Sequence, residues 1–410
     1  MRRAVITGMG AVTPLGNNLA RTWESLVAGR SGVDTITLFD AADFPVRIAA
    51  EVKGFDASDH MPARDARKVA RDVHFGFAAA MEALRDAGYR IGSPARTGVI
   101  IGSAVGGLSN VLEQHRLLLE RGAGRVSPHW LANTLVDTTT SHVATALGAR
   151  GVNYAVVSAC ASGVHSIGDA AEVVGRDQAD AILAGGTESA MVPLILAGFC
   201  AMRALAEGGD DPTAASRPFD ATRSGFVMAE GAGVVLVEEL EHALARDARI
   251  YCEIVGYGAS NDAYHVATPH PQSHGVIEMM RAALARGGIE PGEVDYVNAH
   301  GTSTPYNDKA ETLAIKEVFG DHAHRLAVSS NKSMFGHLFG AAGAVETIAT
   351  ALAIHHGVIP PTINYRHPDP DCDLDYVPNE ARRAAVRVGL SNSMGLGGHN
   401  GCVILRRFER

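Results

Sequence analysis

Short apolar runs alternate with helix-spaced stretches along this chain, and the alternation outlines a fold. Residues 3–8 are β-branched and end at glycine, which predicts a strand. A loop with glycine and proline leads to a helix over 19–28, and 63–88 carries apolar positions at helical spacing. Residues 97–102 read as a buried strand, and Gly106-Gly107 open another helix. The β-branched run 151–157 predicts a buried strand, followed by a helix over 165–174. A strand over 179–184 is expected to end at Gly185-Gly186, and 233–238 and 251–258 read as antiparallel partners. The second half repeats the logic. It predicts helices over 275–286, 308–319 and 343–355, strands over 294–299 and 327–330, and a terminal strand. Strands alternating with helices imply a layered αβα arrangement. We divide the chain into 1–250 and 251–410, although no low-complexity linker marks the boundary.

Composition narrows the class. The 410 residues are 46% hydrophobic and 20% charged, which excludes disorder and allows a large core. The net charge of −9 argues against general nucleic-acid binding. Five scattered cysteines without CxxC spacing point to a reducing, cytoplasmic setting with neither a disulfide framework nor a zinc site. Met1-Arg2-Arg3 is basic, but a short strand follows instead of a signal-peptide core, and no apolar run is long enough to span a bilayer.

Reactive chemistry concentrates in three places. Cys160 follows the run 151–157 in Ser158-Ala159-Cys160-Ala161-Ser162-Gly163, whose small residues allow a sharp turn into a helix. A thiol there meets the helix N-terminus, where unpaired N–H groups favour the thiolate. A small buried core cysteine is the alternative on this segment alone. His300 lies in Asn298-Ala299-His300-Gly301-Thr302-Ser303-Thr304-Pro305, and His337 in Lys332-Ser333-Met334-Phe335-Gly336-His337. Both sit near the end of a strand-like run, among glycines that let a backbone approach a ligand. Most of the 18 histidines must be ordinary, but two in such loops beside a strand-exit cysteine form a pattern. Lys332 is a charge inside a small, apolar segment. No His-Glu-x-x-His or Cys–His cluster suggests a metal, and Gly395-Leu396-Gly397-Gly398 lacks the Lys-Ser/Thr sequel of a phosphate loop.

These blocks, with Arg217-Pro218-Phe219-Asp220, Gly231-Ala232-Gly233 and the Gly395–Gly398 run, resemble the β-ketoacyl-acyl-carrier-protein synthases of the elongating type II branch, in order over nearly the whole chain. The resemblance implies the thiolase fold, a five-layered αβαβα arrangement of two halves on a pseudo-dyad. It implies that Cys160 carries an acyl group as a thioester, that His300 and His337 stabilise the enolate left when malonyl loses carbon dioxide, and that Lys332 orients His337 through a network with Glu311. The backbone N–H groups of Cys160 and Leu396 would form an oxyanion hole, and Thr302 and Thr304 would contact pantetheine. Arg64, Arg67 and Lys68, spaced to share one helical face, with Arg203 elsewhere, would dock an acidic acyl carrier protein. No metal or organic cofactor is implied beyond the phosphopantetheine on the substrates. The partner is a second copy, or a related cysteine-less subunit in a polyketide or other specialised-metabolite pathway. Relatives place phenylalanines where Met394 and Leu396 stand, so these two, with Trp130, become the expected acyl gate and pocket. The polar run 137–141 suggests a polar tunnel end and hence an oxygenated or unsaturated chain.

Overall fold

Ten strands form one mixed sheet in the computed structural model, which describes residues 1–409. In chain order they are β1 (Ala4–Val12), β2 (Thr97–Gly102), β3 (Asn153–Tyr154), β4 (Ala181–Glu188) and β5 (Gly231–Glu239). The second five are β6 (Cys252–Asn261), β7 (Tyr296–Asn298), β8 (Ala327–Ser329), β9 (Val388–Gly395) and β10 (His399–Arg406). Outward from the centre, the first five lie in the order β1-β5-β4-β2-β3 and the second five in the order β6-β10-β9-β7-β8. Each half therefore places its first, fifth, fourth, second and third strands side by side, which is the internal repeat expected from the sequence. The halves join where Ala4–Ile6 of β1 pairs antiparallel with Cys252–Ile254 of β6.

The helices are α1 (Leu19–Val27), α2 (Ala63–Ala66), α3 (Arg71–Asp86), α4 (Leu108–Arg121), α5 (Thr138–Leu147) and α6 (Ser162–Gly175). The rest are α7 (Pro193–Ala201), α8 (Leu240–Ala245), α9 (His274–Gly287), α10 (Pro305–Phe319), α11 (Lys332–Phe335) and α12 (Ala342–His356). Side chains alternate across each strand, so one strand feeds two cores. Ile182 and Ala184 of β4 join α6 and α12 in the central core, while Ala181 and Leu183 join α3 on the outer face. In the other half, Val403 and Leu405 of β10 face the central core, while Cys402 and Ile404 face α9 and α10. The layers run α3, sheet, α6 with α12, sheet, α9 with α10: five, as in the thiolase fold.

The structure departs from the sequence reading in four places. The stretch 63–88 is two helices, because Val69 and Ala70 turn inward to bury themselves and Arg71 reaches the fully buried Glu230 at 2.8 Å. That long-range pair outweighs local helical spacing. Strand β4 runs through Gly185-Gly186, where an added Cβ would lie 2.0 Å from the Gly233 carbonyl and 2.3 Å from that of Gly340. These glycines permit close backbone approach instead of ending the strand. β5 and β6 do not pair with each other, since β1 lies between them. Finally, 151–157 is not a buried strand. Only Asn153–Tyr154 pairs, on the outermost edge of the sheet, and Tyr154 and Val157 are exposed.

Candidate active site

The central helices α6 and α12 cross at their N-termini through small residues. A Cβ on Gly163 would lie 2.8 Å from the Ala344 nitrogen, and one on Gly343 would lie 3.0 Å from Val164. This close crossing brings together the turns that precede the two helices. One turn carries Cys160, the other follows His337, and the exits of β7 and β9 add His300 and Leu396.

Cys160 sits in the 3-10 turn Ala159–Ala161, whose first residue has a φ of 51°, in the left-handed region that side chains rarely adopt. The thiol is buried, with Sγ 3.0 Å from Nε2 of His337. Burial pushes the thiol up to about 12. The Lys332 charge and the backbone N–H groups of Leu396 and Cys160 pull the other way. Desolvation therefore outweighs the helix-terminus effect expected from the sequence, and the resting group is a thiol. The two N–H groups directed at the sulfur come from Cys160 and Leu396, the residues expected to form the oxyanion hole. Gly395 permits this approach, because a Cβ there would lie 3.0 Å from the Cys160 nitrogen.

The rings of His300 and His337 are 5.4 Å apart and nearly perpendicular, and both are buried. Burial first, and the Lys332 charge second, hold both imidazoles well below the usual histidine range, so they are neutral. Nζ of Lys332 lies 3.3 Å from Nδ1 of His300. An ammonium can only donate, so Nδ1 accepts and the ring proton is on Nε2. The network differs from the one expected. Lys332 contacts His300, not His337, and its ion-pair partner is Glu346, with both side chains essentially inaccessible. Burial pushes the Glu346 carboxyl up to about 7. Glu311 instead accepts the backbone N–H groups of His300 and Gly301, each at 2.8 Å, and an amide N–H of Asn392 at 3.2 Å. It fixes the β7 exit loop. Glu346 was legible by the argument that singled out Lys332, since it is a lone charge in the apolar run 342–348.

The remaining expected site residues divide. Thr302 and Thr304 share a hydroxyl hydrogen bond of 2.9 Å beside His300, and Thr304 also caps α10 through the Asn307 N–H. Leu396 is 41% exposed, as a gate would be. Met394 packs on the core of the C-terminal half, not on the apolar cluster that contains Cys160. Trp130 is half-buried in the segment after α4 and outside that cluster. Its wall is aromatic instead. Phe339 stacks on Phe199 at 5.4 Å, Phe226 meets both edge-on, and Phe339 and Phe226 lie 5.0 and 5.4 Å from His337. In the polar run 137–141, Thr138 and Thr140 donate to the carbonyls of Leu135 and Asp137, while the buried Thr139 hydroxyl has no hydrogen-bond partner. Arg64, Arg67, Lys68 and Arg203 are exposed. Since α2 ends at Ala66, Arg67 caps it and Lys68 lies beyond it, with Arg64 and Lys68 flanking Asp65 at 3.4 Å. They form a basic turn, not one helical face.

This geometry can carry an acyl group on sulfur and stabilise an enolate beside it. The comparisons agree. The family model described as "Beta-ketoacyl synthase, N-terminal domain" matches residues 1–243, and "Beta-ketoacyl synthase, C-terminal domain" matches 251–366. The "3-oxoacyl-[acyl-carrier-protein] synthase 2" of Coxiella burnetii is 48% identical over 408 residues, 99% of each chain. "The ishigamide ketosynthase/chain length factor" superposes with a TM-score of 0.92 at 36% identity, over all of both chains. A type II polyketide ketosynthase solved with its acyl carrier protein gives 0.91 at 32%, again over all of both chains.

Proposed function

As a member of the β-ketoacyl synthase family, the chain is a condensing enzyme, and we propose that it extends an acyl chain on Cys160 with a malonyl group held by an acyl carrier protein, as in fatty-acid elongation. In the first half-reaction, Sγ attacks the carbonyl of an acyl thioester. The thiol proton passes to the departing pantetheine sulfur, while Nε2–H of His337, 3.0 Å away, donates to the attacking sulfur. The N–H groups of Cys160 and Leu396 stabilise the tetrahedral oxyanion. In the second, malonyl thioester loses carbon dioxide. Its carbonyl oxygen gains negative charge, which Nε2–H of His300 and of His337 stabilises. The enolate carbon attacks the acyl-Cys160 carbonyl, the carbon–sulfur bond breaks, and the sulfur takes up a proton. Decarboxylation drives the step, so the phosphopantetheine on the substrates is the only prosthetic group the reaction uses.

The single observation that carries this reading is the convergence of Cys160, His300 and His337 with Nε2 of His337 at hydrogen-bond distance from the thiol. It is tested by the intact mass of the protein after incubation with acyl carrier and then malonyl carrier. An adduct on Cys160 that malonyl carrier discharges supports it; no adduct removes it. We rank fatty-acid elongation ahead of a specialised pathway because relatives named 3-oxoacyl-[acyl-carrier-protein] synthase 2 share 46–48% identity, against 36% for the ishigamide ketosynthase/chain length factor and 32% for the type II polyketide ketosynthase.

An acidic carrier would dock on the basic turn Arg64, Arg67 and Lys68 and on Arg203, which supplies local positive charge on a protein of net −9. A second copy would cover the sheet edge at β3, where Tyr154 and Val157 are exposed. A related subunit at that edge would show itself as a heterodimer in light scattering. Among the described residues no helix is long and apolar enough to cross a membrane, and all five cysteines are free, which suits the reducing cytosol.

A further inference from the structure

The pseudo-dyad repeats more than the strand order. Cys160 occupies the middle of the turn Ala159–Ala161 before α6, and Gly340 occupies the middle of Phe339–Ala341 before α12. Both turns are 3-10, and both begin at a residue with positive φ, 51° at Ala159 and 46° at Phe339. The chain thus has two elbows of one design, and only the first carries a nucleophile. At the first elbow, the N–H groups of Cys160 and of Leu396 at the β9 exit are directed at the sulfur. At the second, the Gly340 N–H is taken by Glu188, the last residue of β4.

Glu188 is fully buried. Its Oε2 accepts the N–H groups of Ala104 at 2.7 Å and Gly340 at 3.1 Å. Its Oε1 accepts the Ser103 hydroxyl at 2.9 Å, with the Val105 N–H at 3.4 Å. One carboxylate therefore ties the exit of β2 to the elbow before α12. A Cβ on Gly340 would lie 2.5 Å from the Ala104 nitrogen, so the two segments touch. The residue beside Gly340 is Phe339, held in its strained conformation with its ring on Phe199 and next to His337. Val105, on the other tied segment, packs on the same apolar cluster as Cys160.

We infer that Glu188 is a positioning residue for acyl-chain selection, its carboxylate fixing the second elbow so that Phe339 and Val105 form the wall along which the Cys160-bound chain lies. The inference rests on the acyl-transfer reading of Cys160. An acetyl group offers this wall one methyl, whereas a long acyl chain offers its whole length. Releasing the elbow should therefore raise KM for long chains and leave acetyl transfer nearly unchanged. A residue that only supported the fold would affect both alike.

The test is the rate of Cys160 acylation, by intact mass, with acetyl and long-chain acyl pantetheine thioesters. Wild type, Glu188→Ala, Glu188→Gln and Phe339→Ala are compared. Glu188→Ala should raise the long-chain KM roughly tenfold or more, the scale of losing a hydrogen bond to a buried charge, with kcat and acetyl transfer little changed. Glu188→Gln keeps one acceptor and should recover part of the loss, and Phe339→Ala should reproduce the chain-length effect. If Glu188→Ala does not fold, Glu188→Gln still decides, because it should shift the long-to-short ratio in the same direction. An unchanged ratio in both Glu188 variants that fold, or an equal loss with both substrates, overturns the inference. Failure of the wild type to acylate would instead remove the acyl-transfer reading itself.

Discussion

Replacing His300 by alanine separates the two half-reactions. His337 touches the thiol, with Nε2 3.0 Å from Sγ, whereas His300 meets Lys332 and the His337 ring. Both are buried and neutral, and Lys332 fixes the His300 proton on Nε2, so His300 acts as a donor to the malonyl carbonyl oxygen. Losing one donor to a developing oxyanion in a water-excluded site costs about 2.7–4 kcal/mol, or roughly 10²–10³ in rate. Decarboxylation of malonyl carrier by His300→Ala should fall by that factor, measured as carbon dioxide release. Acylation of Cys160 should change by less than roughly tenfold, since His337 and both oxyanion N–H groups remain. The substitution also removes the acceptor for Lys332, leaving Glu346 as its partner, at a cost of about 1–3 kcal/mol of stability. A melting curve with His300→Ala still folded at the assay temperature is therefore the control. His337→Ala should slow both half-reactions. The reasoning is refuted if His300→Ala loses acylation as severely as decarboxylation, or if its decarboxylation stays within about threefold of wild type.

Cys160→Ala should abolish acylation and condensation while the melting temperature holds, because it removes one sulfur from a tight turn; residual condensation would move the nucleophile elsewhere. Lys332→Met should cost roughly 3–5 kcal/mol in denaturant titration by leaving Glu346 buried without its cation, and Lys332→Met with Glu346→Leu should recover most of it; a double variant no better than the single would contradict the pairing. With the Cys160 thiol pushed up to about 12, the thiolate fraction grows as pH rises, so the iodoacetamide alkylation rate should climb about tenfold per pH unit from roughly 7 to 9. A plateau in that window would mean a much lower thiol pKa. Arg67→Glu with Lys68→Glu should raise KM for carrier-bound substrate and spare small pantetheine thioesters, and equal loss with both would rule out docking on that turn.

The reactive residues were legible because each is chemically out of place. Cys160, His300 and His337 stand among small residues and glycines, and Lys332 and Glu346 are single charges in apolar runs that a soluble fold must bury. Burial of a charge requires a partner, but which partner depends on contacts between distant segments. The resemblance implies a network of Lys332 with Glu311, whereas the fold pairs Lys332 with Glu346. The strand order within each half was equally hidden, since β1 inserts between β5 and β6 from the other end of the chain. The run 151–157 has the composition of a buried strand, yet its place at the sheet edge is set by neighbours, not by its own residues. The resemblance points to Met394 and Trp130 for the gate and pocket, whereas the apolar cluster that holds Cys160 carries Phe199, Phe226 and Phe339.

The most direct test of the central claim is a two-step mass measurement on the wild-type protein. Incubation with a long-chain acyl carrier should add one acyl group, mapped by digestion to Cys160. Malonyl carrier should then restore the unmodified protein mass, with release of carbon dioxide and a β-ketoacyl carrier two carbons longer than the starting chain. An adduct that persists in the presence of malonyl carrier, or an acyl group mapped to any other residue, would contradict the account.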